Sequence, residues 1–325
     1  MRAAWYQRNG AAREVLQVGE LPDPQPKPGE VRVRVATSGL NPSDVKKRAG
    51  GQKMSGERCI PNSDGAGVVD AVGGGVSKDW IGKRVWIWNA QWQRMDGTCA
   101  ELCCLPEALV RELPAATSFE AAACFGIPAL TAHQAVFSGG DVKGQTILVT
   151  GGAGAVGHYA IQLAKWGGAR VIATVSSPEK AALASRAGAD LVIDYKRDDV
   201  AARVLEFGGG VERVVEVDFG ANLATSIKVL KVNGCIATYS SMSAPEPKIP
   251  FYPMMTRGLS IDLVHVYQMS AAERVRALAD MDALLAGGKL QHNLAARFPL
   301  ADVAAAHEAQ ESGKVIGNIV IEVSK

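Results

Sequence analysis

Five residues near the middle of the chain have types and a spacing that suit phosphate binding. The pattern G-x-G-x-x-G is formed by Gly152, Gly154 and Gly157, with Ala155 and Val156 inside it. Glycines allow a tight turn and a close approach of the backbone to a pyrophosphate, and a helix that starts there offers free N–H groups. Glycine-rich turns also occur without a ligand. A predicted strand before the run and a predicted helix after it favour a dinucleotide site.

The end of the following strand bears on which dinucleotide would bind. The predicted strand Val171–Val175 leads into Ser176 and Ser177, where an NAD enzyme usually has an acid for the ribose hydroxyls. Lys180 lies just beyond, and Tyr195 follows the next strand. Hydroxyls and one cation suit the 2′-phosphate of NADPH, although Lys180 also fits a solvated helix lysine. The pattern therefore favours NADPH over NADH.

Strands and helices alternate through the middle third of the chain, which frames these residues. A helix is predicted from about Val156 to Trp166, and Ser177 and Pro178 have the N-cap and N1 chemistry of a second helix. Such alternation predicts a doubly wound parallel sheet. The predicted strands are 146–150, 171–175, 191–193, 213–217 and 235–239.

The first third is rich in β-strand signals, and the last part is mixed. Residues 31–38, 65–73 and 84–88 are predicted strands, a pattern that suits a small, partly open barrel. In the tail, Ser270 and Glu273 form a capping box for a helix to about Leu285. A helix at about 301–311 and a strand at 318–323 follow, and we expect this tail to return to the first domain.

Composition excludes several classes of protein. A chain of 325 residues is long enough for about two domains, and a net charge of +2 with no basic block argues against nucleic-acid binding. No apolar run approaches the length of a membrane span, and the N-terminus lacks the apolar core of a signal peptide. Six scattered cysteines suit reduced thiols. We therefore expect a cytoplasmic protein that does not bind membranes.

Taken in order, several segments resemble the zeta-crystallin-like quinone oxidoreductases of the medium-chain dehydrogenase/reductase superfamily. The likeness covers nearly the whole chain, and the set of segments in this order is specific for the superfamily although each one alone is not. The segments are Ser38–Asp44 (SGLNPSD), Asn62–Val76 (NSDGAGVVDAVGGGV), Ser118–His133, the glycine turn and Ala187–Tyr195.

The resemblance implies an α/β fold in two domains. A GroES-like, partly open β-barrel would span residues 1–121 and be completed by 267–325. A Rossmann domain with a doubly wound parallel sheet would span 122–266 and bind NADPH. Relatives pair these Rossmann domains through a final strand, so we expect a homodimer in which Leu259–Val266 pairs with its copy.

The resemblance also implies a set of site residues. Asn41 and Asp44 would lie near the nicotinamide, and the basic residue that relatives often have at position 318 is an asparagine here. The residues carried over as cofactor-binding are Asn41, Thr131, Gly152, Gly154, Ala155, Val156, Gly157, Ser176, Ser177, Lys180, Tyr195, Tyr239, Ser240, Ser241, Asp262, Leu263, Val264 and Asn318.

One departure from the zinc-dependent relatives changes the expected chemistry. They have Gly-His-Glu where this chain has Asn62-Ser63-Asp64, so the catalytic zinc site loses its histidine. Cys99, Cys103 and the adjacent Cys104 do not match the four-cysteine lobe of those relatives. These thiols are expected to pack in the core instead of binding a metal. We therefore expect no metal site.

A second departure concerns the substrate. Many quinone reductases have a tyrosine soon after an Arg-x-Gly, but here Arg48-Ala-Gly50 is followed by no tyrosine. Four aromatic residues are candidates to replace it, although ordinary core or surface packing is the favoured explanation for each one taken singly. They are Trp86, Trp88, Trp92 and Tyr252.

Without zinc, the acceptor must itself accept a hydride readily, as quinones and α,β-unsaturated carbonyls do. We predict that Asn41 donates a hydrogen bond to the developing oxyanion, that Asp44 holds the loop, and that solvent supplies the proton. His133 is a further candidate for contact with cofactor or substrate. The alternatives are an enone or enal reductase, a non-catalytic NADPH-binding protein, and a zinc alcohol dehydrogenase with unusual ligands.

Overall fold

The computed structural model describes residues 1–54 and 56–324, which form two compact units. Unit 1 comprises Met1–Ile127 and Asp282–Lys325, and unit 2 comprises Pro128–Met281. The domain boundaries expected at 121/122 and 266/267 stay predictions. Two helices carry the chain from one unit into the other, namely α4 (Gly126–Phe137) and α10 (Ala271–Ala286).

Unit 1 is built mainly from β-strands. Its helices are α1 (Ala12–Val15), α2 (Pro42–Lys46), α3 (Phe119–Ala123) and α11 (Val303–Glu311), with a π-helical turn at Lys47–Gly51. Its strands are β1 (Arg2–Trp5), β2 (Gln17–Glu20), β3 (Glu30–Leu40), β4 (Asp64–Val72), β5 (Arg84–Ile87), β6 (Leu102–Pro106), β7 (Val110–Glu112), β14 (Leu294–Pro299) and β15 (Asn318–Glu322).

The main sheet of unit 1 follows the order β14-β15-β3-β4-β5-β7, with β6 also paired to β3. The long strand β3 is central because it pairs antiparallel with β4, β6 and β15. Its alternating sequence places Val31, Val33 and Val35 in the core without exposed surface. The C-terminal strand β15 therefore pairs directly with β3, the strand that the alternating sequence pattern predicts.

Unit 2 contains the alternating elements. Its helices are α5 (Ala155–Trp166), α6 (Pro178–Arg186), α7 (Val200–Gly208), α8 (Phe219–Val229) and α9 (Phe251–Met255). Its strands are β8 (Thr146–Val149), β9 (Arg170–Val175), β10 (Leu191–Asp194), β11 (Val211–Glu216), β12 (Leu230–Thr238) and β13 (Ser260–Leu263).

All six strands of unit 2 are parallel, in the order β10-β9-β8-β11-β12-β13. β8 has no exposed residue, as expected for a strand covered on both faces by helices. The predicted Rossmann sheet is confirmed, as is the GroES-like domain. β12 begins earlier than predicted, because Leu230 already pairs with Val211 before the register shifts.

Most local predictions about helices are also confirmed. Ser177 caps α6 by accepting a hydrogen bond from the backbone N–H of Lys180. Ser270 and Glu273 form the expected capping box, in which Ser270 N donates to Glu273 Oε2 at 3.0 Å. Within residues 1–54 and 56–324, we find no helix with the length and apolar content that a bilayer crossing requires.

Candidate functional site

The glycine turn of unit 2 joins the buried strand β8 to helix α5. A Cβ on Gly157 would lie 2.3 Å from the carbonyl oxygen of Gly151. A Cβ on Gly152 would lie 2.8 Å from the Cβ of Ala173 on the neighbouring strand β9. Both positions therefore require glycine for close packing of the turn against α5 and β9.

Helix α5 begins with its first backbone N–H groups uncapped. Gly154 is the exposed N-cap residue and offers no side chain to cap the helix, and the first turn contains no acidic residue. Ala155 and Val156 are half-buried at this end. Free N–H groups, the helix dipole and a bare glycine backbone are the features that helix termini use to bind a pyrophosphate.

The end of β9 brings three of the predicted residues together. Lys180 Nζ donates to Ser176 Oγ at 2.9 Å, and Ser177 Oγ accepts from Lys180 N at 3.3 Å. Along the described chain, no carboxylate pairs with Lys180. A cation and two hydroxyls are thus gathered where a ribose or its 2′-phosphate would bind on a Rossmann sheet.

Tyr195 lies beside the same strand end. Its backbone N–H donates to Val175 O at 3.1 Å, and its side chain is 53% exposed. The neighbouring carboxylate, Asp194, closes the end of β10 by accepting from Lys196 N and lies 3.7 Å from Arg197. Tyr195 is therefore available to a ligand at the end of β9.

A buried carboxylate that the sequence analysis missed stands at the end of β11. Glu216 accepts from Thr150 Oγ1 at 3.0 Å, from Asn222 Nδ2 at 2.8 Å and from Asp218 N at 2.6 Å. Burial raises the pKa of Glu216, while these donors oppose the rise. An acid after the apolar run Val214-Val215 was the available signal. Glu216 braces the ends of β8 and β11 beside the glycine turn.

The predicted residues after β12 hold the start of α8. Ser240 O accepts from Phe219 N at 2.9 Å, and Ser241 Oγ accepts from Gly220 N at 3.0 Å. Tyr239 N donates to Glu216 O at 3.3 Å, and burial raises the pKa of its half-buried phenol. These residues therefore lie at the carboxyl end of the parallel sheet.

The three predicted residues at the end of β13 and just after it differ in burial and in their partners. Asp262 is an ion-pair partner of the buried Arg213 at 3.3 Å and accepts from Ser138 Oγ at 2.7 Å. Leu263 is 79% exposed and Val264 is buried. The Asp262 carboxylate is therefore engaged within unit 2, so a ligand contact there would use the backbone.

The two predicted residues of α4, Thr131 and His133, are both buried. His133 Nε2 lies 2.8 Å from Asp280 Oδ2 on α10. Burial lowers the pKa of His133, although Asp280 opposes the change. His133 is thus held by a helix–helix contact.

In unit 1, Asn41 and Asp44 form a buried polar cluster at the start of α2. Asn41 N donates to Asp44 Oδ2 at 2.8 Å, and Asn41 Nδ2 donates to Asp64 Oδ2 at 2.8 Å. Burial raises the pKa of Asp44 to about 7, against the effect of the Asn41 N–H. Asp64 is wholly buried, and burial raises its pKa as well. No pattern in the sequence indicated that Asp64 joins this cluster.

Asn318 lies at the same end of the β3–β15 pair as Asn41, because its neighbour Ile319 is paired with Leu40, the residue before Asn41. It is buried, and its Nδ2 donates to Asn293 O at 3.1 Å. The candidates for a substrate-facing ring also differ in burial. Trp86 and Trp88 are core residues, Trp92 is half-buried, and Tyr252 is 71% exposed.

The donor set of unit 1 does not fit a catalytic zinc ion. Residues 1–54 and 56–324 contain no group of three or more His, Cys, Asp or Glu side chains that could hold a metal. Asp64 accepts from Asn41 Nδ2 and from Ile127 N, so its oxygens are already occupied by N–H donors. The six cysteines are buried free thiols. Burial raises the pKa of Cys103 and of Cys104 to about 12, so these packed thiols are protonated at neutral pH.

Comparisons with known proteins agree with this architecture. Residues 27–115 match the family described as alcohol dehydrogenase GroES-like domain, and residues 155–282 match the family described as zinc-binding dehydrogenase. A quinone oxidoreductase of Pseudomonas aeruginosa is 34% identical over 315 residues, which cover 95% of each chain.

Solved structures give the same result. An NAD-dependent alcohol dehydrogenase superposes with a TM-score of 0.90 at 32% identity, over 100% of both chains. The quinone oxidoreductase of Escherichia coli, solved in complex with NADPH, superposes with a TM-score of 0.87 at 27% identity. That match covers 99% of this chain and 100% of the other.

Proposed function

Because the chain belongs to the quinone oxidoreductases of the medium-chain dehydrogenase/reductase superfamily, we propose that it transfers a hydride from NADPH to a quinone or another conjugated carbonyl compound. Membership of this family makes the chain an NAD(P)-dependent oxidoreductase. We propose NADPH as its cofactor and a conjugated carbonyl compound as its acceptor.

The observation that carries the choice of NADPH is the contact between Lys180 and Ser176 at the end of β9. A half-buried ammonium beside a hydroxyl, at a strand end without an acid, favours a phosphate dianion over a bare ribose. Ser177 and the exposed Tyr195 add hydroxyl groups at the same strand end. The pyrophosphate would bind the free N–H groups of α5 and the glycine backbone before it.

The acceptor class follows from the donor set of unit 1. Because the side chains of unit 1 do not fit a zinc ion, they provide no Lewis acid to polarise a simple ketone. The acceptor must therefore delocalise the incoming electron pair by itself. Quinones and enones do so. Bound NADPH supplies the hydride, which carries both electrons.

The roles of the unit 1 side chains in this proposal are binding and orientation. Asn41 donates from Nδ2 toward the acceptor oxygen as negative charge develops there, and Asp44 holds the Asn41 backbone. Water supplies the proton that completes a hydroquinone or a saturated carbonyl product. The hydride and this proton together balance the reduction.

The proposed homodimer rests on the edge strand β13. It ends the sheet order of unit 2, and its residues Ser260 and Leu263 are exposed. An unpaired edge offers backbone groups to a second copy of the same strand. Pairing through β13 would join two sheets of six strands.

Purified protein should oxidise NADPH when 1,4-benzoquinone is added, with unchanged activity after dialysis against a zinc chelator. Calorimetry should detect NADPH binding without acceptor. Binding without turnover across a panel of quinones and enones would contradict the enzyme and favour a non-catalytic NADPH-binding protein. Strict zinc dependence would contradict the metal-free site. Deuterated NADPH then separates the acceptors, since enone reduction leaves deuterium on product carbon.

A further inference from the structure

A buried carboxylate at the start of β4 is surrounded by N–H donors. Asp64 has no exposed surface, and its Oδ2 accepts from Asn41 Nδ2 at 2.8 Å. Ile127 N lies 2.9 Å from both Oδ1 and Oδ2 of the same carboxylate. Because N–H groups of Asn41 and Ile127 donate to both of its oxygens, the Asp64 side chain acts as an acceptor here, and it fixes which end of the Asn41 amide faces it.

The backbone of Asp64 is held by a second, directional chain of hydrogen bonds. Asn62 Nδ2 donates to Ser38 Oγ at 2.9 Å, and Ser38 Oγ lies 2.8 Å from Thr98 Oγ1. Thr98 Oγ1 in turn donates to the carbonyl oxygen of Asp64. The Thr98 proton is therefore used, and Ser38 must donate to Thr98. Each link has one direction, which keeps Asp64 in a single position.

Close packing closes the remaining side of the carboxylate. A Cβ on Gly126 would lie 2.2 Å from Asp64 Oδ1, so only glycine fits beside it. On β3, a Cβ on Gly39 would lie 3.1 Å from the Cβ of Asp64. The surroundings thus admit this carboxylate in one rotamer and leave little room for it to turn away from Asn41.

Asn41 is consequently fixed at two points by two carboxylates. Asp44 accepts from its backbone N–H, and Asp64 accepts from one of the two hydrogens on Nδ2. The second Nδ2 hydrogen keeps a set direction, because rotating the amide by half a turn would bring its oxygen against the Asp64 oxygens. Asn41 is therefore presented as a hydrogen-bond donor of fixed orientation.

We propose that Asp64 is the positioning residue that orients the Asn41 amide toward the acceptor. This inference rests on the proposed function, in which Asn41 donates to the acceptor oxygen. Asp64 does not touch the substrate in this scheme. It acts through Asn41, so its removal should slow turnover and leave cofactor affinity intact.

The test uses the full-length variant Asp64→Asn, which keeps the shape of the side chain. An asparagine at position 64 can donate to the Asn41 side-chain oxygen. The Asn41 amide can then flip by half a turn, which exchanges its oxygen and its nitrogen. We expect kcat with 1,4-benzoquinone to fall roughly ten- to hundredfold, the range for a lost hydrogen bond to a charged group, with the Kd for NADPH within about twofold. Unchanged kcat would overturn the proposal.

A double-mutant cycle separates positioning from general damage. In the Asn41→Ala background, Asp64→Asn should have little further effect on kcat, because the group that Asp64 orients is gone. Additive losses would overturn the proposal. If Asn41→Ala alone leaves kcat unchanged, the proposed role of Asn41 fails. If only Asp64→Asn is silent, the positioning role alone fails.

A spectroscopic readout does not depend on turnover. Protein labelled with ¹⁵N at asparagine should show one Nδ2 proton of Asn41 shifted downfield and protected from exchange, assigned by its loss in Asn41→Ala. Asp64→Asn should abolish that shift. A wild-type resonance at the free-amide position would overturn the proposal even if the Asp64 variant failed to fold.

The matched control is Asp70→Asn on the same strand. Asp70 pairs with Arg32 at 2.8 Å and with Arg34 at 3.1 Å, away from Asn41. The Asp70→Asn substitution removes one carboxylate from β4 without altering the Asn41 amide. We expect kcat and the Asn41 resonance to be unchanged in this control, and a loss equal to that of Asp64→Asn would overturn the proposal.

Discussion

Lys180, in the first turn of α6, donates from its ammonium to the hydroxyl of Ser176 at 2.9 Å. The two side chains meet at the end of β9, the strand end where a Rossmann sheet distinguishes NADP from NAD. Two independent substitutions test whether these two side chains bind the 2′-phosphate of NADPH.

Lys180→Met should weaken NADPH binding roughly ten- to hundredfold, because it removes a charge-assisted bond to the 2′-phosphate, while NADH affinity changes less than about threefold. Titration calorimetry with both cofactors measures the difference. Lys228→Met, an exposed lysine on α8, is the control and should alter neither affinity. Equal losses for NADPH and NADH would contradict the assignment.

Ser176→Asp should reverse the cofactor preference. A carboxylate at the end of β9 repels a phosphate and can accept from the ribose hydroxyls of NADH. The ratio of kcat/KM for NADPH over NADH should fall by more than about tenfold. A ratio that stays at the wild-type value would show that the 2′-phosphate does not bind at this strand end.

Gly157→Ala should impair both folding and cofactor binding, since the new Cβ would lie 2.3 Å from Gly151 O. We expect a loss of roughly 1–3 kcal/mol in the free energy of unfolding and at least about tenfold weaker NADPH binding. Urea unfolding and calorimetry measure these. Gly74→Ala, whose Cβ would meet Pro28 at 3.9 Å, should be neutral. An equally neutral Gly157→Ala would contradict the packed turn.

Asp44 should make stability depend on pH. Burial raises its pKa from 3.8 to about 7, so the folded state holds the proton more tightly than the unfolded state. The resulting stabilisation is complete below about pH 4 and is lost as the pH rises through about 7. Asp44→Asn stays uncharged and should gain roughly 2–4 kcal/mol relative to wild type between about pH 5 and pH 8.

Thermal or urea unfolding at both pH values measures this gain. Asp79→Asn, at an exposed carboxylate of the same unit, should leave the difference from wild type flat. If the Asp44→Asn difference were equally flat, Asp44 would not titrate in the folded protein near neutral pH.

Light scattering should give a mass near twice the 34.2 kDa of one chain if β13 pairs with a second copy. Ser260→Lys places a charge on the exposed edge strand and should shift the mass toward a single chain. Lys228→Met again serves as a surface control. A monomeric wild type, or a dimer that persists in Ser260→Lys, would contradict pairing through β13.

Much of the fold of unit 2 was predictable from the sequence, and less of unit 1. Strands β8 and β9 and helices α5 and α6 were found close to their bounds, because their signals are periodic and their caps are local. Strand β6 (LCCLP) was not predicted. Four of its five residues are buried on both faces, so it lacks the alternation that identified β3.

The candidate sites also differ in how far they could be predicted from the sequence. The glycine turn and the Ser177 cap are readable because their chemistry is set by residues a few positions apart. The Asp64 network is not readable, since Asp64 bonds to partners 23 and 63 residues away. Glu216 likewise gathers Thr150 from a separate strand, 66 residues earlier.

The sequence by itself determined where the backbone turns, where helices start and which strand end lacks an acid, because backbone sterics and capping act between near neighbours. Only the tertiary structure decided which buried carboxylate meets Asn41 and which strand supplies Thr150 to Glu216. Hydrogen bonds in a low-dielectric interior depend on atomic positions set by the whole path of the chain, and residue order alone does not contain those positions.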